Sequence, residues 1–137
     1  MTYNPLLGPI IALVGWTLVM LVWMAAKRLP LLKGQAIPDG ARGTDMPAGP
    51  HNWPGHNYEH LLEQPTIFYA IVLALVAMGD HFAFNLYLAW GYVALRVAHS
   101  VWQATINSIK IRFPLFALST FCLVGLTLHA AIGFIHG

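Results

Sequence analysis

The segment LYLAWGYVALRVAHSVWQATINSIKIRFP, residues 86–114, decides the fold of this chain. Its apolar part is long enough to cross a bilayer, which takes about 20 residues in a helix. A charged side chain in hydrocarbon costs about 2.5–3.5 kcal/mol, so the polar side chains of this segment must avoid lipid. Their spacing places them on one face of a helix, which is therefore predicted to turn toward other helices or a wet cleft. These side chains are Arg96, His99, Ser100, Gln103 and Asn107.

The composition places the whole chain among integral membrane proteins. Hydrophobic residues make up 58% of the 137 residues and charged residues only 9%, whereas soluble domains contain roughly 25% charged residues. The net charge of +2 is too small to indicate a nucleic-acid partner. The single cysteine, Cys122, excludes an internal disulfide. We therefore predict an all-α integral membrane protein with one membrane domain, residues 1–137.

Four apolar segments predict a bundle of four transmembrane helices. They cover residues of about 5–26, 57–78, 84–107 and 114–136. Residues of about 29–55 are rich in proline and glycine and lack periodicity, which predicts a long loop. This loop is either a lid over the membrane surface or a plain tether. The short connection between the second and third segments predicts an antiparallel hairpin.

The distribution of basic residues predicts the orientation in the membrane. The first and third loops are basic, whereas the middle turn and both tails lack lysine and arginine. Cytoplasmic loops carry an excess of Lys and Arg, so loops one and three are predicted to be cytoplasmic and both termini to lie outside. The residues used are Lys27, Arg28, Lys33 and Arg42 in the first loop and Lys110 and Arg112 in the third.

The buried arginine of the third helix needs a partner, and Glu63 is the candidate. It lies in the cytoplasmic half of the second helix, at a depth that Arg96 can reach, so we predict a Glu63–Arg96 ion pair within or between subunits. Together with the other polar residues of this end, the pair has two interpretations. It forms a site for a small anionic or zwitterionic ligand, or it is a structural ion pair that fixes helix register.

The histidines do not predict a metal site. His56 and His60 are four residues apart, which places them on one helical face. However, no cysteine accompanies them, and no recognised zinc spacing is present.

Two stretches resemble a known family, the membrane-associated proteins in eicosanoid and glutathione metabolism (MAPEG), in its bacterial-type members. EHLLEQPTIFYA resembles the family's second helix, and RVAHSVWQATINSIKIRFP its third helix and basic turn. The resemblance covers residues of about 57–119. It implies a homotrimer in the bacterial inner membrane, with glutathione as cofactor in clefts between subunits. By motif position, Glu63, Arg96 and His99 match glutathione-site residues, and Arg112 matches the arginine credited with thiolate stabilisation.

Four positions differ from the family pattern. His56 and His60 stand where the pattern has Arg and Asn, and Gln103 and Phe116 stand where it has aromatic hydroxyls. Two functions therefore stay open. The first is a glutathione transferase or peroxidase acting on lipophilic substrates that arrive from the bilayer. The alternative is a non-catalytic module that binds lipid or quinone, or an accessory subunit of a larger membrane complex.

The residues expected at the site follow from the polar face of the third helix and from the family resemblance. Arg112 and Ser100 are expected to steady the thiolate of glutathione. The remaining glutathione contacts are expected from Glu63, Arg96, His99, Gln103, His60, Asn107 and Lys110.

Overall fold

The computed structural model describes residues 2–34, 39–42, 46 and 48–137. Within these residues the fold is a bundle of five helical segments, and the second and third of them together make one membrane-crossing unit. The segments are α1 (Leu7–Leu32), α2 (Trp53–Leu61), α3 (Gln64–Ala77), α4 (Ala83–Thr105) and α5 (Ile109–His136). The predicted all-α plan of four helical units is confirmed.

Three of the four units are long and apolar enough to cross a membrane: α1, the combined α2 and α3, and α5. The fourth unit, α4, has sufficient length at 23 residues. Its polar face lowers its hydropathy, and this is the face that the sequence analysis predicted to be turned away from lipid. Because α4 is not among the candidate spans of the described residues, its crossing of the membrane stays a prediction, which its length allows.

The second unit is interrupted, whereas the sequence predicted one continuous helix over residues 57–78. It begins earlier, at Trp53, and breaks between Leu61 and Gln64. Pro65 causes the break because it has no N–H to donate to the carbonyl of Leu61 and its ring crowds the preceding turn. The residue at the break, Glu63, has non-helical backbone angles, φ −91° and ψ −98°.

Other predicted boundaries also shift. The first helix continues to Leu32 instead of ending near residue 26, and α5 begins at Ile109 instead of 114. Pro114 is the sixth residue of α5, so it lies inside the helix and cannot donate to the carbonyl of Lys110. The predicted loop of residues 29–55 is shortened at both ends, and residues 35–38, 43–45 and 47 of it lie outside the described part.

The antiparallel hairpin of α4 and α5 forms the largest helix contact, and α1 packs against α2 and α4. The core is apolar, and an aromatic pair marks its centre, where Phe68 stacks on Tyr92 with ring centroids 4.3 Å apart. Large apolar side chains that point outward on α1 and α5 provide the lipid-facing surface. Examples are Ile11, Leu18, Val22, Phe121 and Leu128.

The two ends of the bundle differ in chemistry. At the end that carries both termini, Asn85 donates to the Asp80 carboxylate at 3.0 Å and also bonds to His129. Asn4 closes this end by donating to the Asp80 carbonyl oxygen at 2.8 Å. The opposite end, called the basic end below, contains the last turns of α1 and α4, the start of α5, and α2. Its basic residues are Lys27, Arg28, Lys110 and Arg112.

Candidate functional site

The polar face of α4 is buried, as the sequence predicted. Arg96 has only 1% of its surface exposed, and His99, Ser100 and Gln103 are similarly enclosed. Their spacing of three or four residues puts them one above another along the helix, facing α2 and α5. The hydrophobic residues of α4 that remain exposed, such as Val101, lie on the other face.

A cavity of about 180 Å³ opens beside this polar face at the basic end. Two histidines and an arginine line it, each from a different helix: His60 from α2, His99 from α4 and Arg112 from α5. The remaining walls are apolar side chains of α5. They are Ile109, Phe113 and Phe116. The bundle therefore brings together, in one small space, groups that bind anions or exchange protons and a surface suited to apolar ligands.

Arg96 has a backbone partner rather than the predicted carboxylate. Its Nη2 donates to the carbonyl oxygen of His60 at 3.1 Å. That carbonyl belongs to the last turn of α2 and also accepts from the backbone N–H of Glu63 at 3.3 Å. The helix dipole favours a cation at this end of α2. The guanidinium also lies 5.7 Å from the centre of the Phe116 ring, a cation–π contact at the cavity wall.

The predicted Glu63–Arg96 ion pair is not formed within the chain. The Glu63 side chain is 70% exposed, and its Oε2 lies 3.4 Å from Nδ1 of His60. The break in the second unit explains the difference, because Glu63 sits at the non-helical junction and its side chain does not follow the face expected for a continuous helix. A pair between subunits stays a prediction.

Glu63→Gln is expected to lower the free energy of unfolding by less than about 1 kcal/mol, because exposed ion pairs contribute little. Thermal unfolding of the two purified proteins in the same detergent measures this. A loss of several kcal/mol would contradict the exposed position of Glu63 and would indicate that another subunit buries it.

Several buried polar atoms on this face have no hydrogen-bond partner among the described residues. They are Nε and Nη1 of Arg96, Nδ1 of His99, Oγ of Ser100, Oε1 of Gln103, and both side-chain atoms of Asn57 on α2. An unsatisfied buried polar group costs about 1–3 kcal/mol, and native proteins contain few of them. The concentration of such atoms in one region indicates that a ligand, ordered water or a neighbouring subunit completes the face.

The turn between α4 and α5 positions Arg112. Nη1 of Arg112 donates to the side-chain oxygen of Asn107, and Asn107 adopts a left-handed backbone conformation with φ 57°. Asparagine tolerates this conformation better than most residues. Asn107 therefore supports Arg112 from outside the cavity, and Lys110 is exposed on the same turn.

Two polar networks near the site were not foreseen in the sequence. In the first, Gln64 bridges two helices: it donates to Thr120 of α5 at 2.9 Å and accepts from the Tyr92 hydroxyl of α4 at 3.2 Å. The signal available in the sequence was a glutamine directly before Pro65 at the start of an apolar run.

The second network joins α1 to α2 through Arg28. Its guanidinium donates to Asn52 at 2.8 Å and to Glu59 at 3.3 Å, and it lies so close to Gly55 that a Cβ there would overlap it. From the sequence, Arg28 indicated only the orientation in the membrane. Its contacts were not foreseen because α1 and α2 are separated by a long loop.

Residues 6–132 match the family model of the MAPEG family. This chain belongs to the MAPEG family. The match covers nearly the whole chain, more than the residues of about 57–119 that carried the resemblance, and it includes α1. No curated protein and no solved structure matches the chain.

Membership confirms an integral membrane protein built as a helical bundle. The MAPEG family includes glutathione transferases and peroxidases as well as other members, and its members commonly use glutathione and form oligomers. Two of the matched positions, His99 and Arg112, line the cavity of this MAPEG chain together with His60. The third, Arg96, is buried behind the cavity wall, against Phe116 and the His60 carbonyl.

Proposed function

We propose that this MAPEG protein binds glutathione at the basic end and uses its thiol on a lipophilic substrate, as a transferase or peroxidase. The observation that carries this proposal is the cavity in which His60, His99 and Arg112 meet apolar walls. Glutathione supplies carboxylates and a thiol, which need cations and hydrogen-bond donors. A lipophilic electrophile or hydroperoxide needs apolar contact beside the thiol.

The unsatisfied donors of α4 support carboxylate binding. Arg96 has two nitrogens without a partner among the described residues, and the Ser100 hydroxyl beside it is in the same state. Guanidinium groups bind carboxylates through charge-assisted hydrogen bonds, often two at once. Gln103, one turn further along, contributes an amide to the same face.

Arg112 supports the chemistry of the thiol. It is partly buried, lines the cavity and is held by Asn107. A cation at this position stabilises a thiolate, which is the reactive form of a thiol. The thiolate sulfur would attack the electrophilic carbon of a substrate that lies against Phe113 and Phe116 and displace its leaving group. With a hydroperoxide, it would attack the terminal oxygen, the O–O bond would break and release the alcohol, and a second glutathione would convert the sulfenic acid to the disulfide with release of water.

The apolar wall supports access from the bilayer. Ile109 and Phe113 line the cavity and are 68% and 66% exposed, on the outer side of α5. A lipophilic substrate would reach the thiol laterally from lipid, while glutathione would arrive from water at the basic end. The positive-inside rule places that end in the cytoplasm. By the same rule both termini lie outside. From the family resemblance we further propose a bacterial inner membrane and a homotrimer in which a neighbouring subunit helps to complete each cleft.

One observation favours the alternative, a non-catalytic module for lipid or quinone. Phe116 occupies a cavity wall where the family pattern has an aromatic hydroxyl, so the site has one hydrogen-bond donor fewer. Such a module would bind an apolar ligand in the cavity without activating a thiol. It would act alone or within a larger membrane complex.

Calorimetric titration of the detergent-solubilised protein with glutathione tests the proposal, with Arg96→Met as the main variant. Saturable binding is expected for the wild type. Loss of one charge-assisted contact of about 1.5–3 kcal/mol predicts roughly 10- to 100-fold weaker binding in Arg96→Met. The variant is expected to fold, because an apolar side chain of similar length removes unsatisfied buried donors and the His60 carbonyl keeps its backbone donors.

Lys27→Met is the matched control, because Lys27 is an exposed cation of the same end. It is expected to bind as the wild type does. Absence of binding to the wild type at millimolar glutathione would contradict the proposed function and favour the lipid-binding alternative. Equal binding by the wild type and Arg96→Met would remove Arg96 from the site.

A further inference from the structure

We propose that His60 is the general base that removes the thiol proton of glutathione, and that Glu63 orients it. This inference rests on the proposed function and adds a catalytic residue to the same site. The family pattern has an asparagine at the position of His60, and an asparagine side chain cannot accept a proton at neutral pH. The proposal therefore concerns a property of this chain's own side chains.

The geometry of the break in the second unit creates the pair. His60 lies in the last turn of α2, and Glu63 is the non-helical residue at the junction with α3. The Glu63 carboxylate lies 3.4 Å from Nδ1 of His60, while the His60 ring lines the cavity. We infer that the proton of the neutral ring lies on Nδ1, the nitrogen nearer the carboxylate, which leaves Nε2 for a ligand in the cavity. A carboxylate that fixes the tautomer of a histidine beside a nucleophile is a recurring arrangement in nucleophilic catalysis.

The groups around His60 suit this role. The carboxylates near His60, those of Glu59 and Glu63, belong to its own stretch of chain. The nearby cations, Arg96 and Arg112, come from α4 and α5. The His99 ring lies edge-on to the His60 ring, with the ring centroids 6.3 Å apart. The Arg112 guanidinium, which lines the same cavity, is placed to stabilise a thiolate, and a neutral His60 imidazole beside it accepts the proton. His99 is the less suitable base, because it is only 3% exposed and its Nδ1 has no partner among the described residues.

The step balances without a further reactant. The thiol proton moves to Nε2 of His60, and the electron pair of the S–H bond stays on sulfur. The thiolate then forms a C–S bond with an electrophilic substrate, and the leaving group departs with its bonding electrons. The proton on His60 passes to the leaving group or to water, which restores the neutral base.

The experiment measures kcat and KM for glutathione from mildly acidic to alkaline pH in His60→Gln and Glu63→Gln. General-base catalysis typically contributes about 10²–10⁴-fold, so His60→Gln is expected to lose about 100-fold in kcat at neutral pH with little change in KM. The deficit should shrink as pH rises, because the thiol then ionises without a base. Glu63→Gln, an exposed substitution expected to fold, should show a smaller loss in the same direction.

His81→Gln is the control, since His81 is an exposed histidine at the opposite end of the bundle. It should keep the wild-type profile. A second readout follows protons with an indicator dye in weak buffer. For each thiolate formed, little proton should reach solvent in the wild type, because His60 keeps it, whereas His60→Gln should release one proton per thiolate at the alkaline pH where its thiol ionises.

Two results would overturn the inference while leaving the proposed function intact. One is a His60→Gln enzyme with wild-type kcat. The other is a loss of equal size at every pH, which indicates a purely structural role. A wild-type protein that does not bind glutathione would overturn both proposals, so the binding titration separates the two failures.

Discussion

Arg112→Ala is expected to lower kcat for glutathione conjugation by about 10²–10³-fold, the loss typical of removing one group that stabilises developing negative charge. Arg112 lines the cavity and is fixed by Asn107, so its charge is placed before the thiol ionises. KM should change little, because Arg96 rather than Arg112 is proposed to hold a glutathione carboxylate. An effect on kcat alone identifies an interaction made with the activated thiol or the transition state.

The measurement combines steady-state kinetics with the ultraviolet difference spectrum of the glutathione thiolate. Lys27→Ala is the matched control, because Lys27 is an exposed cation at the same end of the bundle and does not line the cavity. It should retain both the thiolate signal and kcat. A thiolate signal of full size in Arg112→Ala would show that another group stabilises the thiolate and would exclude Arg112 from this role.

Gly55→Ala is expected to lower the free energy of unfolding by about 1.5–3 kcal/mol, the value of hydrogen bonds that involve a charged group. A glycine-to-alanine change inside a helix normally gains up to about 1 kcal/mol. Here the new Cβ would overlap the Arg28 guanidinium. The arginine would have to leave, and its bonds to Asn52 and Glu59 would be lost.

Two comparisons isolate this cause. Gly15→Ala in α1 is the control, since a Cβ there meets no atom within 4 Å, and it is expected to be neutral or stabilising. In an Arg28→Met background, Gly55→Ala should lose its cost, because no hydrogen bonds of Arg28 remain to be broken. Thermal unfolding of the wild type, Gly55→Ala, Arg28→Met and the double variant in one detergent gives the coupling free energy between the two positions. Equal effects of Gly55→Ala in both backgrounds would mean that the Arg28 contacts do not cause the destabilisation.

The Arg28 network also bears on the site. Arg28 ties the start and middle of α2 to α1, and His60 lies in the last turn of the same short helix. Loss of the network is therefore expected to affect the position of His60 in the cavity as well as stability.

The sequence by itself determined the membrane class, the number of helical units and the buried face of α4. These properties depend on local features: the length of apolar runs, the period of the helix and the cost of placing Arg96 in lipid. The same spacing rule correctly grouped His99, Ser100 and Gln103 on one enclosed face. The family resemblance, rather than the spacing, singled out Arg112, which the structure places at the cavity.

The tertiary structure alone decided which groups meet. The sequence paired Arg96 with Glu63 on the assumption that the second helix is continuous. Pro65 breaks that helix, and Arg96 instead donates to the His60 carbonyl at the C-terminal end of α2. The contacts of Gln64 with Thr120 and of Arg28 with Glu59 join helices far apart in the chain. Periodicity specifies which face of a helix is polar, whereas the partner of each side chain depends on how neighbouring helices end, break and cross.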